Sequence, residues 1–162
     1  MNAPDTINGL PAHPLIVHAT VVLVPLAALA VILHAVWPAA RRRLGVLTPV
    51  LGVVALILTW VTIGAGEALA RDLGPAGTSP AVQRHEHFAE QLPPWAIALA
   101  VISVGEWLWF RYDVPARISR HTARRGSDLA VRAVSCVVAV GMTVMLVRAG
   151  DAGARATWGG VG

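Results

Sequence analysis

Four apolar runs divide this chain, from roughly Pro14 to Trp37, Leu44 to Gly64, Pro94 to Phe110 and Leu129 to Val147. A helix needs about 20 mostly apolar residues to cross a bilayer, and each run approaches or exceeds that length. The third is the shortest and carries Glu106. No run alternates apolar and polar positions, and all are too long for the strands of a closed barrel, so helices are expected throughout. Between the second and third runs, Ser79 supplies an N-cap and Pro80 a first helical position, which predicts a short interfacial helix over about 80–91. Pro93 and Pro94 then start the third span. The pattern predicts an all-α, polytopic membrane protein: one domain over residues 1–162, with four transmembrane helices in an up-down-up-down bundle.

Charge gives that bundle a direction. Only 14% of the residues are charged, against about a quarter in soluble domains, and mean hydropathy is +0.63. All thirteen basic residues are arginines. Nine of them (41–43, 111, 117, 120, 124, 125 and 132) fall beside the first and third connections with three acids, whereas the other side has four arginines and six acids. The positive-inside rule therefore places both termini and the 65–93 loop outside the cytoplasm. Basic residues placed this way are topology signals, and nucleic-acid binding is excluded. Residues 1–12 lack a basic segment, so no cleaved leader is expected.

Trp37, Trp60, Trp95, Trp107 and Trp109 fall near proposed membrane boundaries, as indole belts do. Gly45, Gly52, Thr59 and Gly66 recur every seven residues and predict a small-residue stripe for close helix approach. Pro25 and Pro49 are expected to remove hydrogen bonds inside the first two spans. Cys136 is the only cysteine, which excludes a disulfide framework, a thiolate metal site and covalent haem attachment.

The candidate chemistry lies on the outer side. His13 and His18 open the first span, Glu67 follows the second, His85, Glu86, His87 and Glu90 occupy the outer loop, and Asp151 follows the fourth. His18 lies a turn inside the membrane, where it is expected to be buried as a candidate ligand or as a hydrogen-bonded packing residue. His13, at the helix start, reads first as a solvated or backbone-bonded imidazole. On a helix, His85 and His87 diverge by about 200°, so only one can face a common centre; His87 has Glu90 three residues on to orient it. The expectation is one polar pocket of His18, Glu67, His85 or His87, and Asp151. The His-Glu-His run lacks zinc-protease spacing, and no nucleophile triad, phosphate loop or dinucleotide fingerprint is present.

A second polar pair is expected at the opposite face. Glu106 and His34 each precede a tryptophan by three residues in spans running the same way, so they should share a depth. The carboxyl should be protonated, paired with His34, or reached by Arg132 or Arg111. A structural pairing is the first reading, and proton transfer the lesser one.

Four stretches resemble a widespread bacterial domain-of-unknown-function family of predicted four-helix membrane proteins. They are Gly9-Leu10-Pro11-Ala12-His13-Pro14-Leu15-Ile16-Val17-His18, Gly66-Glu67-Ala68-Leu69, Arg84-His85-Glu86, and Gly150-Asp151-Ala152-Gly153-Ala154-Arg155-Ala156-Thr157-Trp158. The resemblance covers nearly the whole chain. It carries no established activity, but some members look fused to cytochrome-like or Rieske-like modules, implying an electron-transfer setting, redox membrane proteins as partners, and haem b. The chain departs from the family's closing motif, with Asp151 where a histidine is expected. Two readings follow. One is a structural or partner-docking membrane module whose outer cluster is a hydrogen-bonded lid. The other is a haem b or metal-binding protein with His18, His85, His87, Glu67 and Asp151 as candidate site residues.

Overall fold

The computed structural model describes residues 6–7, 10–114 and 121–159. Two two-residue strands, β1 (Thr6–Ile7) and β2 (Leu10–Pro11), pair antiparallel ahead of the helices. The helices are α1 (Ala12–Val36), α2 (Pro38–Leu44), α3 (Leu47–Asp72), α4 (Pro80–Ala89), α5 (Leu92–Arg111) and α6 (His121–Trp158), with a 3-10 turn at Gly74–Thr78. Among the described residues, α1, α3, α4 with α5, and α6 supply four stretches long and apolar enough to cross a membrane. That is the architecture of an integral membrane protein.

The helices are apolar all round, so burial in the bundle distinguishes small residues from large ones more than apolar from polar. Ala27, Ala28, Val31, Ala55, Ala96, Leu99, Ala139 and Met142 form the buried centre. Larger side chains face out: Val22 is 55% exposed, Val101 66% and Val137 64%. In water such a surface would drive aggregation; in lipid it is the natural exterior.

α1 and α5 each pack against both α3 and α6, so α3 and α6 occupy one diagonal of the bundle. α4 lies along the end of α6 that leads to the C-terminus. Two glycines set close contacts. A side chain at Gly52 on α3 would overlap Ser103 and press on the backbone of Ala100 on α5, and one at Gly141 on α6 would strike the Trp95 ring.

Several expected details are displaced. α3 continues to Asp72 and α6 runs through 38 residues, about 57 Å at 1.5 Å per residue, so both outlast the hydrophobic layer. The polar end of α6 continues where α4 packs on it, and that of α3 where the 3-10 turn packs back on it. α2 arises because Pro38 restarts a helix after the extended Trp37, and its arginines fill the last turn, where positive charge suits the helix dipole. Gly45 does not belong to a packing stripe; it sits in the turn before α3 with φ +47°. Pro49 lies in the first turn of α3, where its missing N–H leaves no bond unmade, whereas Pro25 is within α1. Trp95 is half-buried against the core instead of lying in a belt. Arg117 and Arg120 lie outside the described residues.

Enlarging Gly52 should separate α3 from α5. Gly52→Val is expected to destabilise the protein in detergent by about 1–3 kcal/mol, the usual cost of overpacking. Gly105, which has open space around it, should accept alanine with no loss. Thermal melts of the two variants measure the difference.

Candidate functional site

Two histidines meet at the end of the bundle where α1 begins and α6 ends. His13, in the first turn of α1, donates from Nδ1 to the Thr62 carbonyl of α3 at 3.1 Å. His85, on α4, donates from Nδ1 to the Ala149 carbonyl of α6 at 2.9 Å. A carbonyl can only accept, so both Nδ1 atoms carry hydrogen, and in the neutral form of each ring the lone pair is on Nε2. Neither Nε2 is hydrogen-bonded among the described residues. The ring centres lie 6.4 Å apart, with the planes at 70°.

Both rings are seated by the same local device. The carbonyl that His13 uses lies four residues before Gly66, and the His13 ring passes 3.1 Å from where a Gly66 Cβ would be. The carbonyl that His85 uses lies four residues before Gly153, and the His85 ring passes 3.0 Å from a Gly153 Cβ position. Each imidazole thus lies over a glycine and takes the carbonyl one turn earlier, on α3 and on α6. Because those helices form the diagonal of the bundle, the two rings span its mouth. Thr62 is itself fixed, its hydroxyl donating to the Leu58 carbonyl and pairing with Thr20 of α1 at 2.6 Å.

The pocket expected from sequence does not assemble in its expected form. Among the described residues, no hydrogen bond, ion pair or ring contact joins any two of His18, Glu67, His87 and Asp151. His18 is exposed and bonds only the Pro14 carbonyl of its own helix, 2.5 Å away. His13 and His18 are separated by about 140° around a helix, so seating His13 inside turns His18 out. His87 is exposed and accepts from the Gln91 amide at 3.1 Å instead of being oriented by Glu90. Asp151 is exposed and pairs with Arg155 one turn on. Glu67 is exposed and borders an open cleft of about 500 Å³ with Arg71, Gln83 and Glu86. Of the named candidates only His85 enters the pair. The sequence signal for its partner was His13 at the helix start together with the glycines at 66 and 153. Each of the four stretches quoted above thereby contributes one residue: His13, Gly66, His85 and Gly153.

At the other end, His34 and Glu106 are buried and joined, Nδ1 to Oε1, at 2.5 Å. Arg132 does not reach the carboxyl. Its Nη1 donates to the Ala35 carbonyl, and its other nitrogens bind Asp128. Arg41 caps α1 beside it, donating to the carbonyls of His34 and Ala35 at 2.8 and 2.9 Å, with its guanidinium 3.3 Å from the Phe110 ring centre. Burial pushes the Arg41 guanidinium below its usual value and neighbouring Arg132 adds to that, while Asp128 and Glu106 oppose it.

The two ends should behave independently. Glu106→Gln is expected to lower the melting temperature in detergent modestly, because the buried His34 Nδ1–H must then bond an amide oxygen and the amide N–H groups must find acceptors of their own. Any visible absorption of the protein should be unchanged, and its loss would move the functional site to the arginine end.

No family model, curated protein or solved structure matches this chain.

Proposed function

We propose that this chain is a multi-pass protein of a bacterial cytoplasmic membrane, with both termini outside the cytoplasm, that binds haem b between His13 and His85 and serves electron transfer with redox membrane proteins. The observation that carries the reading is the imidazole pair, fixed through Nδ1 with both Nε2 lone pairs uncommitted. With their ring centres 6.4 Å apart and each Nδ1 taken up by a carbonyl, His13 and His85 would be the residues to hold the group through Nε2.

The donor set favours haem over a bare ion. A protein-bound zinc site takes three or four side-chain ligands, and among the described residues no group of three His, Cys, Asp or Glu could hold a metal. Haem brings four nitrogen ligands of its own and supplies reversible one-electron exchange when bound. The chain's part is to orient the ligands. The Thr62 and Ala149 carbonyls hold the tautomer that leaves Nε2 free and increase the basicity of each ring. Gly66 and Gly153 keep the helix surfaces beside the rings bare. The resemblance of the four stretches to the four-helix family belongs to the same proposal, since its motifs converge on this pair.

Purification with haem available should give a Soret band stoichiometric with the chain. His13→Ala and His85→Ala should each abolish it, whereas His18→Ala and His87→Ala should retain it. A band that survives loss of both His13 and His85 would overturn the assignment; no band under any loading condition would favour the docking-module reading, with the pair acting as a latch.

Orientation is tested separately. In a Cys136→Ser background, a cysteine at Gly159 should react with an impermeant maleimide on intact spheroplasts, and one at Arg43 only after lysis. The reverse pattern would invert the topology.

A further inference from the structure

One fully buried polar residue from each membrane-crossing helix gathers near the arginine end: His34 of α1, Thr48 of α3, Glu106 of α5 and Ser135 of α6. Register brings them to one level. Gly52 of α3 lies against Ser103 of α5, and because these helices are antiparallel, one turn further along brings Thr48 opposite Glu106. On α6, Ser135 is one turn from Arg132, which is bonded to the Ala35 carbonyl beside His34.

Three oxygens of this layer have no partner among the described residues: Thr48 Oγ1, Glu106 Oε2 and Ser135 Oγ. The indole nitrogen of Trp109, one turn from Glu106, is likewise unpaired. A buried polar group left unpaired costs about 1–3 kcal/mol, and lipid offers no replacement. A buried water typically makes about three hydrogen bonds to such groups, and this layer has the donors and acceptors to hold one.

We infer that this layer is a hydrated proton-binding site, in which Glu106 Oε2 takes up and releases one proton through bound water while His34 Nδ1–H remains bonded to Oε1. On uptake, an O–H bond of a hydronium breaks and one forms at Oε2, leaving water and a neutral carboxyl; release is the reverse, and no electrons move. The groups facing the site from its packed neighbours are Arg41 of α2, Arg132 with Asp128 of α6, and the Phe110 ring of α5. α3 adds the hydroxyl of Thr48 and carries no titratable side chain from Leu47 to Gly66. The Phe110 ring lies against Arg41 on one side and is 6.0 Å from the His34 ring, so the site borders the arginine-rich surface without opening directly onto it.

Infrared difference spectroscopy of the full chain in lipid nanodiscs tests this. Lowering the pH should produce a protonated-carboxyl stretch that shifts in heavy water and is absent from Glu106→Gln. Thr48→Val and Ser135→Ala, which keep side-chain size, should retain the band but slow its deuterium exchange roughly tenfold, equivalent to about 1.4 kcal/mol. A carboxylate that stays ionised throughout the folded pH range would show a fixed ion pair and overturn the proposal. So would a carboxyl that is protonated at every pH without exchanging, or exchange unaffected by the hydroxyl substitutions.

Discussion

The absence of water in a bilayer governs this structure. Inside lipid a hydrogen-bonding group must find its partner within the protein, and helices solve that problem for the backbone but not for side chains. The chain confines its demanding side chains to two levels and ties each to a second helix. At one level His13 and His85 reach backbone carbonyls of α3 and α6; at the other His34 reaches Glu106. Between them the interior is alanine, valine, leucine and methionine, with hydroxyls such as Thr59 and Thr143 returned to carbonyls of their own helices.

Small residues make those ties geometrically feasible. Lipid is as apolar as leucine, so helix association depends on close packing and on polar links more than on hydrophobic burial. Gly52 admits Ser103, Gly141 admits Trp95, and Gly66 and Gly153 admit the two imidazoles. The first two draw helices together. The second two let side chains lie on helix surfaces, where a carbonyl one turn earlier can accept from the ring. The same residue type therefore serves helix packing in the centre and the seating of imidazoles at the mouth.

The two polar levels differ in what they leave open. At the histidine end, each ring spends one nitrogen on the scaffold and retains the other, the state in which an imidazole is a ligand. At the arginine end, the carboxyl spends one oxygen on His34 and retains the other in a layer of unpaired hydroxyls. Arg41 and Arg132 converge on the last carbonyls of α1, placing positive charge at its C-terminus, where the dipole favours it. They thereby fix the backbone around His34 without neutralising Glu106 directly.

The number of membrane-crossing helices and the pairing of His34 with Glu106 were legible in sequence, because run length is set by bilayer thickness and depth can be counted from a helix end. Helix rotation was not. A lipid-facing surface is as apolar as the core, so no polar stripe marks which side of α1 faces in, and His18 looked as suited to burial as His13. The choice of His85 over His87 depended on how α4 lies along α6, which no local pattern encodes. The identity of the pair was decided by tertiary structure alone: it requires two carbonyls, on helices that occupy a diagonal and are far apart in sequence, to present themselves beside glycines at the same height. Sequence by itself determined that polar residues would gather at each end of the bundle; only the packing of α1 and α4 onto α3 and α6 decided which of them meet.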